Sequence, residues 1–140
     1  MEKLTCALLV DDDQTNNYLN KLLLSRLQVT DKLLVALNGQ EALALVEEHC
    51  QEATPSCPAL ILLDVKMPVM NGFEFLEAYA ELSLPQKHAI IIVMLTTSLH
   101  PQDMERVQKL HVDGFLSKPL TKAKVEGILE TYFHRHLPKE

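Results

Sequence analysis

An excess of basic residues is missing from this sequence: 13 Lys and Arg stand against 19 Asp and Glu, for a formal net charge of -6. That leaves no electrostatic footprint for nucleic acid. Long apolar runs are missing too. Ala89 to Leu95 is far shorter than the roughly 20 residues a membrane span needs, so no membrane partner is expected. Cysteine is scarce. Cys6, Cys50 and Cys57 are an odd number without metal-ligand spacing. They read as reduced thiols of a cytosolic protein, with a Cys50–Cys57 bridge as the alternative. Met1-Glu2-Lys3 leads straight into a strand pattern with no secretory signal, so the expected location is cytoplasmic. There is no internal repeat, low-complexity tract or linker, and residues 1–140 read as a single domain. With 47% hydrophobic and 23% charged residues, that domain has the make-up of a soluble globular protein.

What is present is organised around Leu60 to Gly72, LILLDVKMPVMNG. The apolar run Leu60 to Leu63 lacks the alternation of a half-exposed strand, which points to a strand buried on both faces in a parallel sheet. Asp64 stands at its carboxyl end, the edge where open α/β sheets bind ligands. Met67-Pro68 prevents a helix from starting at once, Asn71-Gly72 is a turn pair, and helical spacing resumes at Phe73. Taken alone, Asp64 is better read as a turn-forming or capping aspartate. The rest of the chain changes that.

Cys6 to Val10 is a second apolar run, ending on Asp11, Asp12 and Asp13. A helix follows, with apolar positions 18, 19, 22, 23 and 27 as its stripe and Asp13 or Thr15 as its cap. Lys32 to Ala36 is a third strand, and Asn38-Gly39 turns into a helix over Gln40 to Cys50. After the central strand, a helix is expected from Phe73 to Leu84, ended by Pro85. His88 to Leu95 is a β-branched strand ending on Thr96, Thr97 and Ser98. Pro101 opens a helix to about Leu110, and Gly114 to Ser117 is a short strand before Lys118-Pro119. Thr121 caps a last helix to about His136. Five strands alternating with five helices predict βαβ units and right-handed crossovers. The fold class is therefore α/β, a doubly wound, five-stranded parallel sheet with helices on both faces.

All carboxyl ends of a parallel sheet share one edge. Asp11, Asp12, Asp64, Thr96 and Lys118 therefore converge there. Clustered carboxylates repel unless a cation joins them, and a hard divalent ion with oxygen ligands, magnesium before calcium, suits the set. The chemistry permitted is phosphoryl transfer, with an aspartate as nucleophile and metal, lysine and hydroxyl neutralising the phosphoryl oxygens. Each residue alone has an ordinary structural explanation. Five in register across separate strands are much harder to explain that way.

VDDD at 10–13, LLDVKMPVMNG at 62–72, LTTS at 95–98 and GFLSKP at 114–119 resemble the receiver domain of two-component response regulators, over essentially the whole chain. The resemblance implies a flavodoxin-like fold with strand order 2-1-3-4-5. It implies Asp64 as the aspartyl-phosphate site, phosphorylated by a sensor histidine kinase or histidine phosphotransfer protein in a phosphorelay. Magnesium would be held by Asp11, Asp12, Asp64 and the Lys66 carbonyl. Lys118 would pair with the phosphate ahead of a cis peptide to Pro119. Thr96 and Phe115 would form the switch, and the backbone N–H of Thr97 would add a hydrogen bond. Lys66 and Ser98 would tune hydrolysis, while Thr97, larger than usual there, narrows access. Lys66 could also reach the acids and stand in for the metal. His111-Val112 replaces the small residues common before the fifth strand. The fourth helix, fifth strand and fifth helix would form the partner face, in a monomer or a phosphorylation-dependent dimer. The expectation is a stand-alone phospho-acceptor that catalyses its own phosphorylation and dephosphorylation, not an enzyme acting on other substrates. The alternatives are a pseudo-receiver, a receiver cut from a hybrid histidine kinase, and a haloacid-dehalogenase-like phosphotransferase. The last wants a second acid where Lys66 stands, and a cap that these loops cannot supply.

Overall fold

The computed structural model describes residues 3–51, 57–84, 89–96, 105–106, 109–110 and 112–135. Five short apolar runs become strands β1 (Ala7–Val10), β2 (Leu33–Ala36), β3 (Leu60–Asp64), β4 (Ile91–Thr96) and β5 (Gly114–Ser117). They form one parallel sheet in the order β2-β1-β3-β4-β5. The register sets Val10 beside Leu63, Asp64 beside Leu95 and Thr96 beside Ser117, so the carboxyl ends of β1, β3, β4 and β5 share an edge.

Every residue of β3 is buried, because alternate side chains feed opposite cores. Ile61 and Leu63 join Leu8, Val10, Ile92 and Met94 under helices α2 (Gly39–His49) and α3 (Gly72–Ala80). Leu60 and Leu62 join Ala7, Leu9, Val93 and Leu95 under α1 (Gln14–Arg26) and α4 (Lys122–Phe133). The doubly wound reading therefore holds. Four helices lie among the described residues. Most of the helix expected from Pro101 to Leu110 falls outside them, although Glu105 and Arg106 are helical. Arg106 reaches back to α3, donating to Glu77 at 2.6 and 3.1 Å and lying 4.9 Å over the Phe73 ring.

Several details differ from expectation. The Tyr18 and Leu19 side chains of α1 point outward, 64% and 53% exposed, while Asn17 and Leu24 are its buried residues. Asn17 and Leu24 are two turns apart and so share a face. Asn17 Nδ2 donates to the main-chain oxygen of Asp11 at 2.7 Å, which fixes that face against the end of β1. Helix α3 stops at Ala80 rather than Leu84, because Glu81 and Leu82 tighten onto Ala78 and Tyr79 with i→i−3 bonds. Helix α4 ends at Phe133, where His134 turns left-handed. Asn38-Gly39 and Asn71-Gly72 serve as helix starts: each Asn is an N-cap, accepting from Glu41 and Glu74 respectively.

The cysteines are a correction. Cys50 and Cys57 are joined in a disulfide with their Cα atoms 4.7 Å apart. The amide nitrogen of Cys50 closes the end of α2 on Val46, and Cys57 leads into β3. Both sulfurs lie in one buried cluster, at the end of α2 and ahead of β3. The odd count resolves as one pair plus the free thiol of Cys6, buried before β1, where burial pushes its pKa up.

Candidate functional site

The shared edge gathers the acids from two strands. Asp11 leaves β1 and Asp64 ends β3; both are buried, with Asp12 exposed beside them. One carboxylate oxygen from each of the three lies within 4.8 Å of the others. Local bonds aim the side chains. Asp13 N–H donates to Asp11 Oδ1 at 2.9 Å, and Val65 N–H donates to Asp64 Oδ1 at 2.8 Å. Asp13 itself caps α1, accepting from Thr15 and Asn16. Asn16, which drew no notice in the sequence, points its amide toward Asp11 Oδ2 at 3.5 Å.

One ammonium enters the cluster. Lys118 Nζ lies 3.1 Å from Asp11 Oδ2 and 3.0 Å from Asp64 Oδ1. Lys66, read as a stand-in for a metal, is exposed and forms no ion pair among the described residues; Lys118 has that place. Lys118 leaves β5 at the shared edge and is largely buried there, whereas Lys66 is exposed. Burial raises the Asp64 pKa above its ordinary 3.8, with repulsion from Asp11 adding to it and the Lys118 contacts opposing it. Burial alone would lower Lys118, but its bonds to Asp64 and Asp11 win, and its pKa stands above the ordinary 10.5.

The remaining predicted residues fall around this centre. Thr96 ends β4, half-buried, and its carbonyl accepts from Lys118 N–H at 2.9 Å. The Lys118-Pro119 peptide is cis, as expected. Phe115 faces outward, 36% exposed. Thr97 and Ser98 lie outside the described residues, as does His111.

The loop after Asp64 is closed by contacts the sequence signalled only as a turn. Gly72 N–H donates to Val65 O and Gly39 N–H to Met70 O, so α2 and α3 both start against this loop. A Cβ on Gly72 would stand 2.5 Å from the Asp64 carbonyl oxygen and 3.0 Å from Met94 Cε. Gly72→Ala must therefore push α3 away from the acid cluster. The expected loss is about 2 kcal/mol in urea unfolding; a midpoint equal to wild type would show the contact to be slack.

The fold has counterparts among known proteins. The model of the response regulator receiver domain matches residues 7–130. Two-component response regulator 24 of Arabidopsis thaliana is 33% identical over 127 residues, covering 91% of this chain and 82% of that protein. A crystal structure of a two-component response regulator from Cytophaga hutchinsonii is 26% identical, with TM-score 0.81 over 96% of this chain and 100% of that one. The phosphorylated cyanobacterial phytochrome response regulator RcpA is 28% identical, with TM-score 0.73 over 96% and 98% of the two chains.

Proposed function

Because the chain belongs to the family of response regulator receiver domains, we propose that Asp64 is its phospho-acceptor. The donor is a phosphohistidine on a sensor histidine kinase or a histidine phosphotransfer protein. An Asp64 carboxylate oxygen attacks phosphorus, the P–N bond breaks, and the imidazole leaves with the electron pair and takes up a proton. One observation carries this reading: Asp64 is buried at a strand end with the Lys118 ammonium 3.0 Å from its Oδ1 and two further carboxylates beside it.

Three carboxylates against one ammonium leave negative charge in excess, and an all-oxygen donor set of this kind fits Mg2+. Asp11, Asp12 and Asp64, with the Lys66 carbonyl, are the residues that would hold it. Bound there, the ion supplies positive charge to the phosphoryl oxygens. Lys118 does the same from the chain itself, and the Thr96 hydroxyl and Thr97 N–H donate hydrogen bonds to the group. Lys66, Thr97 and Ser98 govern access of the hydrolytic water, so the domain removes its own phosphoryl group. Drawing Thr96 to the phosphate frees space for Phe115 to turn inward. That shifts an existing equilibrium in the surface formed by β5 and α4, where a downstream protein docks.

The test is intact-mass analysis after incubation with acetyl phosphate or phosphoramidate, with and without magnesium, beside Asp64→Asn. One phosphoryl group, about 80 Da by its formula, is expected in wild type with magnesium and absent in the variant, as for a covalent aspartyl intermediate. No adduct from either donor would leave a receiver-like docking module that works without phosphorylation.

A further inference from the structure

The first turns of α2 and α3 share a feature that α1 and α4 lack. In α2 and α3 the third helical residue is a glutamate, Glu41 and Glu74. Each turns its carboxylate back to accept from a preceding backbone N–H, that of Leu37 or Asn71. The corresponding residue of α4 is Lys124, with Lys122 two positions earlier and no acid in the turn. Cations are disfavoured at a helix N-terminus, where the dipole and the unpaired N–H groups are already positive. A cation at that position has to be explained by the contacts of its side chain.

The structure shows what Lys124 does instead. Its backbone N–H donates to the capping Thr121 hydroxyl at 3.3 Å, while its side chain runs the other way, back along the chain. Nζ contacts Ser117 O at 2.7 Å, Ser117 Oγ at 3.2 Å and Pro119 O at 2.9 Å. An ammonium has three donors, and here each has an acceptor. Two of the acceptors are the carbonyls of the residues on either side of Lys118. Lys118 is thus held from behind by Lys124 and laterally by its own N–H to Thr96 O, while its ammonium reaches Asp11 and Asp64.

We infer that Lys124 is a positioning residue: its ammonium clamps Ser117 and Pro119 and thereby sets the Lys118 arm over Asp64. The inference rests on the proposed phosphoryl transfer and adds a residue to it. Lys124 touches neither the acids nor the phosphoryl group. Its effect passes through the backbone that carries Lys118, and small displacements of a charge-neutralising group are costly in rate.

The experiment compares wild type, Lys124→Met and Lys124→Arg, using phosphoramidate with magnesium. Lys124→Met keeps the apolar stem and removes all three donors; Lys124→Arg restores donors that can reach two carbonyls. In the Met variant the saturating phosphorylation rate should fall about tenfold, with the half-saturating donor concentration unchanged. The Arg variant should recover most of the rate. Hydrogen exchange of the Lys118 amide, read without any donor, should quicken in the Met variant and return toward wild type in the Arg variant. Thermal stability should hardly move, since a misplaced cation is lost along with the clamp. An unchanged rate and unchanged Lys118 protection in Lys124→Met would overturn the inference. So would a slowed rate with normal protection, or a loss that the Arg variant does not recover. Should wild type itself take no phosphoryl group, the functional reading fails, and the exchange measurement still decides whether Lys124 holds the Lys118 backbone.

Discussion

Asp64→Asn should be more stable than the wild-type protein in metal-free buffer, although it loses the phosphorylation site. The asparagine keeps an oxygen for Val65 N–H and for Lys118, while the buried charge facing Asp11 disappears. The sign follows from the raised pKa. Between the ordinary 3.8 and the higher folded value, the native state binds more protons than the unfolded chain. Wild-type stability therefore falls as pH rises through that window, and the asparagine variant escapes this part of the loss. The gap between the two should open as pH rises from about 4 and then level off, reaching about 1 kcal/mol, or roughly 3–5 °C in midpoint, near neutrality. Melting curves in chelator across that range measure it. Magnesium should reverse the order, because a ligand stabilises the state that binds it and the variant has lost one of three carboxylates. Equal stability of the two proteins at every pH would mean that burial and Asp11 put no strain on Asp64.

Lys118→Met should act in the opposite direction and more strongly. It leaves Asp11 and Asp64, both buried, without their ammonium. Lys118 has a folded pKa above its ordinary 10.5, so its contribution is complete below that value and is lost only as pH rises through the folded pKa. At neutral pH the whole of it is at stake. Removing one partner of a largely buried ion pair costs several kcal/mol. With the Lys118 side chain 20% exposed at the rim, about 2 kcal/mol is the expected loss. Magnesium should restore much of that stability by occupying the same charge deficit. Phosphorylation should not recover in step, because a group that neutralises the reacting oxygens is worth about a hundredfold or more in rate. Urea unfolding with and without magnesium, beside phosphoramidate kinetics, separates the two effects. A variant that unfolds like wild type in chelator would show that the acids do not depend on Lys118.

These expectations begin with residues that could be read before any coordinates. Asp11, Asp12, Asp64, Thr96 and Lys118 were legible as a group because each follows a short apolar run, and parallel strands leave their carboxyl ends on one edge. The cap of α1 was narrowed to two residues and that of α4 to one, since capping is a local bond between near neighbours. Side-chain direction was not legible. Lys66 and Lys118 both follow strands, yet only one turns into the cluster. Tyr18 and Leu19 belong to an apolar stripe, yet they point outward while Asn17 is buried and donates to the Asp11 carbonyl.

Strand and helix identities, their alternation, the two-faced sheet and the acid-lined edge were determined by the sequence itself. Periodicity and strand-end chemistry act over a few residues and need no distant partner. The Cys50–Cys57 bond and the approach of Gly72 to the Asp64 carbonyl were decided by tertiary structure. Each depends on where two elements stop relative to one another. That is settled by how the helices seat on the sheet, and no local pattern records it.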